Sequence, residues 1–348
     1  MTEQGFPTST EIADRALLLA SLSNLNSPQY LLPAITSAVM ATRTRLVTVI
    51  FSRFFNRGPG QDADIDDRVD LPALRGISHT ERWDDIQRLL TFVYVQAFKI
   101  AQEMGKILMD IDILLRGLDE NVPENIAEGI DIVFRITGDS IAVPLPSTIS
   151  DIRYVYLPVG DRPNDINRDL APEARSLEKK MPPFYPVVAL GGTFDHLHPG
   201  HKILLSMGAW IASRKLIVGV TDDVMLQKKT YRDVLEGLSV RMDKVLAFLK
   251  FFKPGLEYEI GPMKDIYGPT GWDPDIQALV VSRETLEGAQ SIASHRASCS
   301  LPALQVFVID VISSTSSCLD HANAEWLKKN KLSSTFIRKW IVEQRNNV

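Results

Sequence analysis

A glycine pair followed by two closely spaced histidines carries the first chemical signal in this chain. The stretch Gly191-Gly192-Thr193-Phe194-Asp195-His196-Leu197-His198-Pro199-Gly200-His201 follows an apolar run, Val187 to Leu190, and precedes Ile203, Leu204, Leu205, Met207 and Trp210. The first run reads as a buried strand and the second as one face of a helix. A strand-to-helix turn of this kind is where an anion sits. The helix's first N–H groups have no partner within the helix, and its dipole is positive at that end. Glycines allow a phosphate to approach the backbone closely. His198 and His201 add donors that can hold charge as it develops on a phosphate. The chemistry that fits is attack on a nucleotide phosphate.

Other residues could join that chemistry. Lys228 and Lys229 follow the next strand by a loop, and lysine suits a mobile point charge. Ser333, Ser334 and Thr335 open the last helix, where hydroxyl residues act as caps and the free N–H groups suit further phosphates. Arg338 lies one turn on, placed to pair with phosphate. A metal site of His196, His198 and His201 is not expected, because no carboxylate follows at a useful helical spacing.

The elements that must position these residues fall into two parts. A loop is expected from Asn56 to Asp84, and a linker of Pro, Asp, Glu, Arg and Lys from Gly160 to Pro186. Residues 1–160 are therefore read as a smaller α/β domain without a catalytic constellation, 161–186 as linker, and 187–348 as the chemical domain. In the first, Leu17–Ser23, Leu32–Thr42 and Phe98–Leu108 read as helices. Leu46–Phe51, Leu90–Val95, Ile111–Leu115, Ile130–Ile136 and Ile152–Leu157 read as strands. In the second, strands at Val187–Leu190, Lys215–Thr221, Leu256–Ile260, Ala278–Ser282 and Leu304–Val311 alternate with helices at His201–Ser213, Ser239–Phe252, Glu284–Arg296 and Ser334–Gln344. That alternation predicts a parallel sheet, Rossmann-like, with ligands beyond the carboxyl ends of its strands. No internal repeat is visible.

Composition is that of a soluble globular protein of 348 residues with a formal net charge of −5, which gives no general footprint for nucleic acid. Cys299 and Cys318 are too few for a disulfide framework. The N-terminus does not resemble a signal peptide, and the apolar stretch Leu31–Phe51 is broken by Arg43 and Arg45. A cytoplasmic protein with no membrane partner is expected.

The block from Gly191 to His201 resembles the nucleotidyltransferases with an HxGH signature. Leu332-Ser333-Ser334-Thr335-Phe336-Ile337-Arg338 resembles their second signature. Tyr267-Gly268-Pro269-Thr270-Gly271-Trp272-Asp273-Pro274, with Leu279 to Ser282, and Gly219 to Asp223, with Lys228-Lys229, look like eukaryotic, fungal-type phosphopantetheine adenylyltransferases. The resemblance covers residues 187–348 and rests on four ordered segments.

The resemblance implies a coenzyme A biosynthesis enzyme that transfers AMP from ATP, with Mg²⁺, to 4′-phosphopantetheine, giving dephospho-coenzyme A and pyrophosphate. The acceptor phosphate attacks in line, so no covalent intermediate is needed, and catalysis is positioning plus charge stabilisation. His198 and His201 would hold the ATP phosphates. Lys228 or Lys229 would reach the phosphate in transfer, with the spacing to Arg241 favouring Lys229. Gly191, Gly192, Thr193, Phe194, Asp195 and Gly200 would shape the nucleotide site, with Asp195 tying the turn together. Ser333, Ser334, Thr335 and Arg338 would take the β- and γ-phosphates, and Arg296 is a further candidate for a phosphate. Ile266, Tyr267 and Trp272 could line the pantetheine pocket or belong to the core.

Where relatives carry S-x-E-T-x-x-G-G, this chain has Ala289 in place of the second glycine, and Ser294 stands before His295-Arg296. The chain departs here from the segment that the resemblance implies for adenine and ribose contacts. Ile312 to Ser317 also resembles the second signature but lacks the arginine. Alternatives are a cytidylyl- or adenylyltransferase with another phosphorylated acceptor, and a non-catalytic scaffold subunit. Lys329-Asn330-Lys331-Leu332 stands where cytidylyltransferases carry an arginine-led segment. No phosphate loop of a fused kinase is present, so a monofunctional transferase is expected, with other enzymes of the coenzyme A pathway as candidate partners.

Overall fold

The computed structural model describes residues 12–56, 78–158, 160, 181–309 and 333–346. The chain divides into two compact units, Met1–Arg57 with Phe92–Ala171 and Gly58–Thr91 with Pro172–Val348. The segment 78–91, placed with the first domain by the sequence and in its expected loop as far as Asp84, thus belongs to the second unit. Cys318, Ile312 to Ser317 and most of the expected linker lie outside the described residues.

The first unit is a five-stranded parallel sheet. Its strands are β1 (Ala13–Ser21), β2 (Thr42–Phe51), β3 (Asp110–Arg116), β4 (Ile132–Ile136) and β5 (Arg153–Leu157), in the order β3-β2-β1-β4-β5. Its helices include α1 (Leu32–Met40), the part of α2 (Trp83–Glu103) from Phe92 onward, and the short α3 (Ser147–Ser150). Two expectations are corrected here. Leu17–Ser23 is not a helix: Leu17 to Ser21 end the central strand β1, where Ala16 to Ala20 are buried on both faces. Leu90–Val95 is not a strand: it lies within α2, where Leu89, Leu90, Phe92, Val93, Tyr94 and Val95 are all buried. A segment buried all round loses the periodicity that separates strand from helix.

The second unit has strands β6 (Tyr185–Gly192), β7 (Ala212–Thr221), β8 (Glu257–Met263), β9 (Ala278–Ser282) and β10 (Gln305–Ile309). All pairings are parallel, in the order β10-β9-β6-β7-β8. Helices α4 (Pro199–Ile211), α5 (Leu238–Phe252) and α6 (Leu286–Ser298) connect them, and α7 (Ser334–Asn346) follows. Residues 78–83 pack inside this unit. His79 stacks on Trp210 with ring centroids 3.6 Å apart, donates from Nδ1 to the Trp210 carbonyl at 2.7 Å, and accepts at its own carbonyl from the Trp210 indole. Trp83 lies 4.8 Å from Phe307 of β10.

The two units repeat one topology although no repeat shows in the sequence. Counted within each unit, both sheets run 3-2-1-4-5. Both also carry a register irregularity near the start of the first strand pair, between Ala13 and Arg15 and between Tyr185 and Val187. Lysines cap the first helices alike. Lys106 donates to the carbonyls of Val39, Met40 and Thr42, and Lys253 to those of Ala209 and Ala212. At the end of β1, however, Leu19, Ala20 and Ser21 stand where β6 has Gly191, Gly192 and then Thr193. Ser21 is taken by Asp139, and its carbonyl by the Tyr30 hydroxyl. No helix among the described residues is long and apolar enough to cross a membrane.

Candidate active site

In an open parallel sheet, ligands bind beyond the carboxyl ends of the strands, where the strand order reverses. In the second unit that point lies between β6 and β9, and the turn after β6 occupies it. The turn is strained. Phe194 and His196 have φ of 52° and 44°, in the left-handed region. Such a conformation costs an L-residue about 1–2 kcal/mol, so surrounding groups must hold it. Phe194 is fully buried, its ring beneath Gly192, where a Cβ would come within 3.1 Å of the ring.

His198 takes the N-cap position of α4 without making a side-chain cap. Its ring folds over the first helical turn and stacks on His201 with centroids 3.8 Å apart and planes 27° apart. Gly200 makes this possible, since a Cβ there would lie 3.1 Å from the His198 ring. The Nδ1 atoms of both histidines are buried without a hydrogen-bond partner in the structure. Desolvation, with smaller contributions from His196 and Lys202, lowers the His198 pKa to about 3. Desolvation and then His198 hold His201 well below its usual value. The free site therefore presents two neutral imidazoles at the positive end of a helix. An anion placed beside them favours their protonation.

The second signature meets the first at Asp195. Ser333 caps α7, accepting from Phe336 N–H at 3.3 Å. The Ser334 hydroxyl donates to the Asp195 carbonyl at 2.8 Å. Arg338, expected to pair with phosphate, is instead buried and engaged. Its guanidinium pairs with the Asp195 carboxylate, donates to the Thr230 carbonyl at 3.0 Å and reaches the Thr335 hydroxyl at 3.1 Å. Arg296, also expected at a phosphate, lies buried in α6. It donates to the carbonyls of Thr270, Asp273 and Pro302. Desolvation lowers its pKa.

Lys228 and Lys229 are exposed on the segment between β7 and α5. Tyr267 stacks on His295 with centroids 4.3 Å apart, while Ile266 and Trp272 are exposed on the loop after β8. Asp195, His196 and Glu236 could offer a cation three ligand atoms within 4.8 Å of one another. Each already serves the fold: Asp195 accepts from Glu236 N–H, Glu236 accepts from His196 N–H, and His196 Nε2 donates to the Val234 carbonyl.

Sequence reading gives no role to two residues of this neighbourhood, Arg241 serving there only as a spacing mark. Glu236 bonds the turn by side chain and backbone. Arg241 is fully buried and donates to the Thr193 carbonyl at 2.6 Å, the Glu236 carbonyl at 2.9 Å and the Asp223 carboxylate at 2.5 Å. A signal for Arg241 existed. It falls in line with Val245, Phe248 and Phe252 on the buried stripe of α5, and a charge on a buried stripe demands partners.

Residues 189–339 match the cytidylyltransferase-like family. A phosphopantetheine adenylyltransferase of Saccharomyces cerevisiae is 43% identical over 155 residues, which are 44% of this chain and 48% of that protein. An uncharacterized protein of Schizosaccharomyces pombe is 33% identical over 217 residues, 61% of this chain and 62% of its own length. The chain thus spans about half to three-fifths of these fungal relatives. A phosphopantetheine adenylyltransferase of Pyrococcus horikoshii is 32% identical over 162 residues, 46% of this chain and 92% of the relative. With one relative covered almost end to end and the signature turn built as described, the chain belongs to the cytidylyltransferase-like family, among the phosphopantetheine adenylyltransferases.

Proposed function

We propose that this protein transfers the adenylyl group of Mg-ATP to 4′-phosphopantetheine, giving dephospho-coenzyme A and pyrophosphate. The observation that carries the reading is the convergence at Asp195. The turn bearing His198 and His201 and the opening of α7 are fastened to the same residue. The names of the relatives point to the nucleotide and the acceptor, and favour this reaction over cytidylyl transfer or a scaffold role.

An oxygen of the acceptor phosphate, already ionised, attacks the α-phosphorus. The bond from that phosphorus to the bridging oxygen breaks, and the electron pair leaves with pyrophosphate. No base is required. The Gly191–Gly192 backbone and the first N–H groups of α4 receive phosphate oxygens. His198 and His201 stabilise charge on the crowded phosphorus, and the approach of polyphosphate raises their proton affinity. Lys228 or Lys229 brings a cation from the exposed side of the site. Ser333 to Thr335 offer N–H groups to the β- and γ-phosphates, while Arg338 fixes Asp195. Arg296 fixes the loop of Thr270 and Asp273, so no phosphate contact is proposed for it. Mg²⁺ arrives with the nucleotide as part of the substrate. The exposed Ile266 and Trp272 offer apolar surface to the acceptor's arm.

The test is direct. Purified protein is incubated with Mg-ATP and 4′-phosphopantetheine, with dephospho-coenzyme A read by mass spectrometry and pyrophosphate release in parallel. Product is expected, and His201→Ala is expected to cut turnover by two or more orders of magnitude with little effect on ATP affinity. No product from wild-type protein that still binds ATP would overturn the acceptor assignment.

A further inference from the structure

We propose that Arg241, assisted by Glu236, is the positioning group that sets the spacing between the histidine turn and the lysine segment. The inference rests on the adenylyl-transfer reading above. One buried guanidinium holds three points of the chain at once: Thr193 at the start of the strained turn, Asp223 before the lysines, and Glu236 after them. Lys228 and Lys229 lie on the stretch between those last two anchors. Arg241 therefore ties both ends of the lysine segment to the turn that presents His198 and His201.

Glu236 closes the bracket from the other side. Its N–H donates to Asp195 at 2.9 Å and its carboxylate accepts from the His196 N–H at 2.9 Å. The same carboxylate pairs with Lys244. The neighbouring Val234 carbonyl takes the His196 ring at 2.7 Å. Residues 193, 195 and 196, around the two left-handed positions, are thus gripped by 234, 236 and 241. Neither Arg241 nor Glu236 needs to touch substrate. Relaxation of the bracket displaces lysine and imidazole relative to each other, and a displacement of about 1 Å costs on the order of 100-fold in rate.

The experiment uses the full chain and the variants Arg241→Lys, Glu236→Ala and Glu236→Gln. Lysine keeps the charge but cannot serve three partners in the fixed geometry of a guanidinium. A roughly 100-fold loss of kcat is expected for Arg241→Lys and a roughly 10-fold loss for Glu236→Ala. The dissociation constant of a non-hydrolysable ATP analogue should stay within about threefold, because the phosphate-binding groups themselves remain. Glu236→Gln, which still accepts from His196 N–H, should recover most of the Glu236→Ala loss.

Folded variants with wild-type kcat would overturn the proposal. So would a loss explained wholly by weaker analogue binding. Wild-type turnover reads the reaction itself. Should wild type make no product, the ring resonances of His198 and His201 still test the bracket. They shift in Arg241→Lys if Arg241 sets the turn, and unchanged resonances would overturn the proposal on their own.

Discussion

At the scale of single residues, the unusual groups are buried histidines. His79 is 4% exposed, and burial lowers its pKa from 6.5 to about 3. The Trp210 carbonyl opposes that shift, and Lys253 adds a little to it. A depressed histidine stays neutral in the folded chain while the unfolded chain protonates near pH 6.5. Its contribution to stability is complete above that pH and is lost as pH falls toward 3, at up to about 1.4 kcal/mol per pH unit. Urea unfolding at pH 6.5 and pH 5 should therefore differ by about 2 kcal/mol from His79 alone. His79→Phe keeps an aromatic ring at this position and should shrink that difference. An identical pH dependence in the variant would place the titration elsewhere. His198 and His201 shift in the same direction, so the variant keeps part of the acid sensitivity.

Residue-level legibility followed local spacing. The phosphate turn, the lysine pair and the α7 opening are each compact in sequence, and hydrogen-bonding rules for helix ends make the two helix starts readable as anion-binding candidates. The partners of Arg338 and Arg296 were not readable in that way. Arg338 meets Asp195 across 143 positions, and Arg296 meets Thr270 across 26. An arginine near a phosphate motif looks like a ligand until the fold shows which carbonyls and carboxylates reach it first.

At the scale of elements, the helix that bears the two histidines is finished at its far end by lysine. Lys253 Nζ lies 3.0 Å and 2.8 Å from the Ala209 and Ala212 carbonyls at the end of α4. These carbonyls belong to the group a helix cannot satisfy internally, and a cation also suits the negative end of the dipole. Lys253→Met should cost about 1–2 kcal/mol in urea unfolding, and Lys106→Met about as much, since Lys106 caps α1 in the same way. A change under a few tenths of a kcal/mol in both would mean that water replaces the lysine without loss.

The elements themselves were legible where strands and helices alternated with distinct lengths, as in the second unit. Ala278–Ser282 was placed to the residue. They were misread where burial was complete. Leu17-Leu18-Leu19 in β1 and Phe92-Val93-Tyr94-Val95 in α2 are apolar on every side, so only tertiary context decides between the two conformations.

At the scale of the molecule, the boundary between units does not follow the order of the chain. Trp83 and His79 come from the first quarter of the sequence yet pack within the second unit. A cut at residue 160, natural from the sequence, removes them. In the full chain, Trp83→Ala should destabilise the second unit by about 3 kcal/mol and lower the temperature at which adenylyl transfer is lost. A variant with unchanged thermal inactivation would show that the 78–91 segment is dispensable to that unit. The shared 3-2-1-4-5 topology was invisible in the sequence because parallel sheets constrain strand order and burial, not residue identity.

The fastening of two distant segments to Asp195 has a consequence for how the site moves. The turn, the lysine segment through Glu236 N–H, and α7 through Ser334 and Arg338 each hold the same carboxylate or its carbonyl. α7 cannot swing away without separating the buried Arg338–Asp195 pair. These shared contacts couple the turn, the lysine segment and α7 into one cooperative unit rather than three that fray independently.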